Sequence, residues 1–322
     1  MTQKLVTVVG ATGSQGSTII TSLAANSEYK LRGLTRNPDS VAALRLRAKG
    51  VEIVQADLNH PASLRTAFAG SYAVYGVTDM PGMVVKGAGI DAAAVAEEKQ
   101  GINIAQACLE TPDLHHFIWS TLPDTAKLSD GAFELPNFRG KVAVDAFIRA
   151  HAELLAKTTF LFIAQYHSNY DYPPLSPHLI RGAGDEKGDM YVQFATHPPD
   201  TPITTIGDVR RNLGPFVTAI LAQPGKTRGG ATVLAHVEVL SAEESLQTWA
   251  RARGARAISV PVSPERFSAL FGSWDFLGTM WRCWAALGDR GWGLPSGEKV
   301  LMKEDLGITG LIGSLESFQG KH

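Results

Sequence analysis

The chain has 322 residues, 44% of them hydrophobic and 19% charged, and a formal net charge of −1. Such a length and composition provide a buried core of ordinary size and exclude global disorder. The near-neutral balance, with no basic run, excludes an electrostatic nucleic-acid footprint, and the two cysteines, Cys108 and Cys283, make neither a metal-binding spacing nor a disulfide framework.

The first element is the most informative. Residues 4–16 read KLVTVVGATGSQG, in which Leu5, Val6, Thr7, Val8 and Val9 run straight into glycines at Gly10, Gly13 and Gly16. A continuous β-branched run predicts a strand buried on both faces, as in a parallel sheet. The G-x-x-G-x-x-G spacing allows a tight turn and a close approach of backbone to a diphosphate, and the helix that follows offers its first N–H groups. That helix is expected over 14–25, with Ile19, Ile20 and Leu23 on one face. A strand at 30–35, a helix at 38–49 stopped by Gly50, and a strand at 51–56 come next. Pro61 opens a helix carrying Leu64 and Phe68, and 73–78 is the fourth strand. A long helix from about 91 to 110 and strands at 116–120 and 160–164 complete the alternation. The pattern predicts an α/β fold, a Rossmann-type doubly wound parallel sheet.

The character changes near Tyr166. Residues 170–202 are rich in proline (Pro173, Pro174, Pro177, Pro198, Pro199, Pro202) and hold one strand candidate, 191–196. A loop this long predicts a binding loop or lid. Beyond it, Asp208 caps a helix carrying Val209, Leu213, Phe216 and Ile220. Ser241 and Glu244 form a capping box ahead of Leu246 and Trp249, and Ser263 with Pro264 opens a helix holding Phe267 and Leu270. Trp274, Trp281 and Trp284 either line a pocket for a large flat apolar molecule or form core. The expected division is a dinucleotide-binding domain at 1–165 and a smaller α+β substrate lobe at 166–322, with the helix at 208–223 docking back on the first.

The end of the second strand selects the nucleotide. An acidic residue about 20 positions past the glycines binds the ribose 2′-OH of NAD; here stand Leu34, Thr35, Arg36 and Asn37, with no carboxylate before Asp39. The Arg36 fork suits a 2′-phosphate, so NADP(H) is expected. The cofactor set is then Gly10, Thr12, Gly13, Ser14, Gln15 and Gly16 at the diphosphate, and Arg36 and Asn37 at the 2′-phosphate. Asp57 either bonds the adenine amino group, with Leu58 packing nearby, or caps the helix around Pro61; Val77 and Thr78 fall along the ribose, and Ser120 and Lys141 toward the nicotinamide. Lys141 shares a helix face with Val144 and Ile148, where it holds a ribose hydroxyl, stabilises an oxyanion or snorkels at the core edge. The candidate proton handlers are Lys141, Ser120, Glu134, Tyr166 and His167. Glu134 lies between Phe133 and Leu135, where an apolar setting favours the neutral acid; a solvated loop carboxylate is the plainer reading. His115 and His116 sit at the edge away from the ligand and receive no role.

Taken together, VVGATGSQG, LTRNP, QADL, YAVYGVTD, EEKQGINIAQAC, HFIWSTLP and the helix containing Lys141 resemble the NmrA-like family of atypical short-chain dehydrogenase/reductases. The resemblance covers most of residues 4–170 and continues more loosely beyond. It implies an NADP(H)-binding Rossmann domain with a small substrate lobe, among relatives that are either dinucleotide-binding regulators or natural-product reductases and tailoring enzymes. A typical short-chain dehydrogenase places an acid tyrosine four residues before the lysine; here that position is Asn137. Of the His-Phe-Asp-Ser-Lys common in NmrA-like relatives, only Phe138 and Lys141 remain.

The leading expectation is an NADP(H)-dependent tailoring enzyme that moves hydride to or from a large apolar polycyclic or aromatic small molecule, without a catalytic tyrosine. One alternative is a redox-neutral isomerase that holds NADP(H). Another is a non-catalytic redox-sensing regulator, the one reading that calls for a partner protein. No nucleic-acid, membrane or metal partner is expected. A cytoplasmic location is expected too, because the first strand begins at residue 4 and leaves no room for a signal peptide.

Overall fold

A computed structural model of the chain describes residues 3–180 and 189–320. The first half lays down β1 (Lys4–Val8), β2 (Tyr29–Thr35), β3 (Glu52–Gln55), β4 (Ala73–Gly76), β5 (His116–Thr121) and β6 (Thr158–Ile163). Every residue of β4, β5 and β6 is buried. Alternate side chains divide between two cores: Tyr75 and Ile118 face one side with Val6, Ile19 and Phe216, while Val74, Phe117 and Trp119 face the other with Leu64, Ile104 and Ile148. That two-sided burial is what the continuous apolar runs require of a parallel sheet.

The crossovers are α1 (Ser14–Leu23), α2 (Val41–Ala48), α3 (Pro61–Phe68), the pair α4 (Met80–Val85) and α5 (Ile90–Leu109), and α6 (Thr125–Leu128), α7 (Pro136–Ala150) and α8 (Ala152–Leu155). The helix expected from residue 38 starts at Val41, because the Ser40 hydroxyl accepts from the Ala43 N–H at 3.3 Å and caps it there.

At β7 (Gln165–Tyr166) the chain leaves the sheet. Among the described residues the lobe contains two three-stranded sheets. In one, β10 (Pro202–Gly207) lies between β7 and β12 (Glu238–Ser241); in the other, β9 (Met190–Ala195) lies between β8 (His178–Leu179) and β13 (Arg256–Pro261). The lid segment expected at 170–202 thus supplies β8 and β9, and its residues 181–188 lie outside the described residues. Between these pieces the chain returns to the first layer: α9 (Val209–Ala222) packs on α1, a short α10 (Pro224–Thr227) follows, and β11 (Ala231–Ala235) pairs parallel to β6. The docking helix was expected and the seventh strand was not. The order is β11–β6–β5–β4–β1–β2–β3, all parallel, and it reverses direction between β1 and β4, where ligands gather at the carboxyl ends of such sheets. The lobe is completed by α11 (Ala242–Ala252), which carries the capping box, α12 (Pro264–Phe271), α13 (Phe276–Leu287) and α14 (Ser314–Gln319). Among the described residues no helix is long and apolar enough to cross a membrane.

The return depends on a close approach. A Cβ on Gly214 of α9 would overlap Ser22 of α1 and lie 3.0 Å from the Thr18 carbonyl oxygen. Gly214→Val is therefore expected to lower unfolding stability by about 1–3 kcal/mol in a urea titration.

Candidate functional site

At the reversal point the end of β1 turns through Gly10, whose φ of +64° is one that other residues rarely adopt. The Gly13 N–H donates to the Gly10 carbonyl at 2.9 Å and closes the turn. A Cβ at Gly16 would lie 2.8 Å from Ala11 Cα, so glycine there is what lets α1 start against the strand. The N-cap of α1 is Gly13, with no capping side chain, which leaves the first amides of the helix facing a continuous cleft of about 620 Å³. A diphosphate fits that cradle. Arg36, exposed at the rim beyond β2, also lines the cleft, as do Asp57 and Leu58 beyond β3.

Halfway along, Lys141 emerges from α7. Pro136 occupies the first turn of that helix, and Phe138, Lys141, Val144 and Ile148 form its buried stripe. The Lys141 ammonium donates to Thr78 Oγ1 at 3.0 Å and to the Ser120 carbonyl at 3.1 Å, and lies 3.6 Å from Glu97 Oε1. The Thr78 hydroxyl accepts from lysine, so its own proton goes to Glu97 Oε1, at 2.7 Å. Glu97 on α5 is fully buried. The ammonium also sits 5.2 Å from the Trp119 ring, whose indole N–H donates to Asp145 Oδ1 at 2.8 Å. Burial pushes the Asp145 carboxyl up to about 7, against the opposing pull of Thr121, Trp119 and the positive charges of Arg149 and Lys141.

The far end belongs to the lobe. Tyr172, Trp274, Phe276, Leu277, Met280, Trp284 and Trp292 line it, with Asn137 and Phe138 from α7. Trp281 lies instead in the core behind, stacked on His197 at 4.4 Å.

The cleft brings together Gly10, Thr12, Gly13, Ser14, Gln15, Gly16, Arg36, Asp57, Leu58, Val77, Thr78, Ser120, Lys141 and Tyr166. Three candidates fall elsewhere. Asn37 turns its side-chain oxygen onto the Asp39 N–H, bracing the turn after β2. Glu134 is exposed and off the cleft, so water solvates it and the apolar setting expected from Phe133 and Leu135 is absent. His167 is buried behind the cleft, with Nδ1 bonded to the Gly207 carbonyl at 2.9 Å and its ring edge-on to Phe318. Gln15 is in place, but its side chain is engaged: Nε2 donates to the Tyr166 hydroxyl at 2.6 Å and Oε1 accepts from Tyr75 at 2.5 Å. Glu97 and Asp145 were missed. Glu97 stands in a charged EEK run that reads as a solvated helix face, whereas Asp145, one turn after Lys141, carried a weak spacing signal.

A family model described as "NmrA-like family" matches residues 2–280. The chain belongs to the NmrA-like family. The resemblance read from the sequence motifs is thereby borne out. The chain is 36% identical over 129 residues to the NmrA-like family domain-containing oxidoreductase notA of Aspergillus sp. (strain MF297-2), covering 40% of this chain and 37% of that protein. It is 26% identical over 232 residues to the oxidoreductase hkm9 of Aspergillus hancockii, covering 71% and 66%. The matched stretches thus span only about a third to two thirds of these relatives. Among solved structures, NmrA, a negative transcriptional regulator, in complex with NADP has a TM-score of 0.72 at 20% identity, covering 99% of this chain and 95% of that one. The Citrobacter sp. triphenylmethane reductase complexed with NADP(H) has a TM-score of 0.66 at 18%, covering 97% and 98%. At these identities the likeness is one of fold.

The raised Asp145 carboxyl makes a pH prediction for this NmrA-like chain. The folded state keeps that proton up to about pH 7, whereas the ordinary value of 3.8 means the unfolded chain releases it earlier. The folded state therefore loses stability as pH rises between those values. Asp145→Asn retains an acceptor for Trp119 without the titration, so it should gain on the wild type as urea titrations move from about pH 5 to about pH 8.

Proposed function

We propose that this NmrA-like protein is an NADP(H)-dependent oxidoreductase that transfers hydride to or from a large, apolar, aromatic small molecule in natural-product biosynthesis, in the cytoplasm. The observation that carries the reading is the single cleft, with Arg36 and the glycine cradle at one end, an aromatic-lined lobe at the other, and Lys141 between them. NADP(H) fits the residues present: no side chain caps the first amides of α1, which are left for a diphosphate, and no carboxylate stands at the end of β2 to repel a 2′-phosphate. The Aspergillus relatives named as oxidoreductases support the same class.

When bound, the cofactor supplies or accepts the hydride. The chain provides the rest. Thr78, Ser120 and Glu97 hold the Lys141 ammonium at the end of β5, where positive charge stabilises an anion developing on a substrate oxygen or nitrogen. The aromatic walls exclude water and strengthen that interaction. Asn137 cannot give up a proton, so the proton at the substrate heteroatom comes from Lys141 Nζ or from solvent.

A redox-neutral rearrangement is the second reading. It is favoured by Asn137 in the acid position and by Tyr166, which burial pushes up to about 12 and so makes a poor acid. The fold likeness to the NmrA regulator keeps a redox-sensing role as a third outcome.

Calorimetric titration with NADPH and NADH tests the cofactor first. Arg36→Ala should weaken NADPH by about 10- to 100-fold through loss of the charged pairing, and leave NADH nearly unchanged. Conversion of aromatic carbonyl and imine substrates tests the reaction. Net loss of reduced-cofactor absorbance, with kcat reduced about 100-fold or more in Lys141→Ala, is the expected result. Product without net cofactor consumption would move the assignment to the isomerase. Absence of product, with unequal affinities for NADP+ and NADPH, would move it to the regulator.

A further inference from the structure

Two polar groups in the substrate end of the cleft have hydrogen-bonding capacity that the protein does not use. The first is Asn137, standing where the acid tyrosine of short-chain dehydrogenases would be. Its Oδ1 is buried and has no partner, while its Nδ2 faces the thioether sulfur of Met280 at 3.8 Å. The opposite amide orientation would set oxygen against sulfur, so the weak N–H···S contact puts Nδ2 on Met280 and makes Oδ1 the unpartnered atom. Phe138, Leu277, Met280 and Trp284 line the same cleft; of these only the Trp284 indole carries a side-chain donor, and its ring is stacked on Trp292 at 5.1 Å. A buried carbonyl oxygen without a partner is costly, and cleft walls keep such groups where a ligand completes them.

The second is Tyr166. The Tyr75 hydroxyl donates to Gln15 Oε1, and Gln15 Nε2 donates to the Tyr166 oxygen. With Gln15 Oε1 toward Tyr75 and Nε2 toward Tyr166, the chain runs from Tyr75 to Tyr166. Tyr166 receives a bond at its oxygen and keeps its own proton for the cleft it lines.

Resting on the reading of this cleft as a substrate site, we propose that Asn137 and Tyr166 are its specificity pair. They select an aromatic molecule that bears both an N–H or O–H donor, received by Asn137 Oδ1, and a carbonyl-type acceptor, held by the Tyr166 hydroxyl. A pocket built to bond a polar group discriminates strongly against analogues lacking it, because its own buried group is then left unmatched. The aromatic walls accept many flat molecules; the pair decides which of them sit in register.

The test is a binding measurement, independent of turnover. Protein saturated with NADP+ is titrated with 2-quinolone, which carries an adjacent N–H and C=O on a flat aromatic frame, and with N-methyl-2-quinolone, which lacks only the donor. Binding is read by tryptophan fluorescence. Wild type should favour 2-quinolone by about tenfold or more. Asn137→Leu should erase that preference, and Tyr166→Phe should weaken both probes while leaving the preference in place. Asn137→Ala is measured alongside, with thermal melts, so that a misfolded leucine variant does not decide the matter. Equal binding of the two probes by wild type, a preference that survives both Asn137 variants, or no binding of either probe would overturn the proposal. Any of those outcomes combined with cofactor-dependent turnover of another aromatic substrate would leave the oxidoreductase reading standing.

Discussion

An ammonium group cannot be taken out of water unless its charge and its donors are matched, and Lys141 is matched from three separate elements. Thr78 comes from the end of β4, the Ser120 carbonyl from β5 and Glu97 from α5. The lysine itself comes from α7, so one side chain requires two strand ends and two helices to hold a common register. The helices achieve it through glycine. A Cβ at Gly140 would lie 2.8 Å from the Ala94 carbonyl, and one at Gly101 would lie 2.5 Å from Val144. Without both, α5 and α7 could not approach closely enough for Glu97 to reach the lysine. A buried ion pair is poor evidence of stability, because desolvation offsets most of the attraction. Its value here is placement of a fixed positive charge at the middle of the cleft.

Trp119 extends that arrangement. Its ring lies beneath the ammonium at 5.2 Å while its N–H is committed to Asp145 at 2.8 Å. The tryptophan is completely buried, so the lysine on one side and the carboxyl on the other are held at a distance set by one rigid indole. Lys141 and Asp145 are also a turn apart on α7, and the same helix face therefore carries both members of the pair across the ring.

What could be read from the sequence was what depends on local pattern. The glycine turn, the two-sided apolar strands and the capping box at Ser241 each specify their own conformation within a few residues, and the structure contains all three. Features that depend on distant partners were not legible. β11 is a five-residue run separated from its partner β6 by β7 to β10, α9 and α10, and no local signal announces that pairing. Glu97 and Glu98 look alike in sequence; only the packing of α7 buries the former and gives it a lysine. Glu134 failed for the converse reason, since the apolar neighbours Phe133 and Leu135 turn inward and leave the carboxylate in solvent.

Gln15 shows how the two kinds of information meet in one residue. Its place between Gly13 and Gly16 puts its backbone at the start of α1, which the glycine spacing announces. Its side chain has a separate task. A diphosphate would be held by amides and the helix dipole, so it makes no demand on the glutamine carboxamide. That carboxamide can reach away from the phosphate end and join Tyr75, inside the sheet, to Tyr166, at the entrance to the lobe. Two phenols facing each other could satisfy one another with a single hydrogen bond but would leave its direction open. An amide between them, placed with its oxygen toward Tyr75 and its nitrogen toward Tyr166, gives the chain its direction and leaves the Tyr166 proton free. The glycine loop at the start of α1 therefore also sets the direction of the hydrogen bonds that reach Tyr166 at the entrance to the lobe.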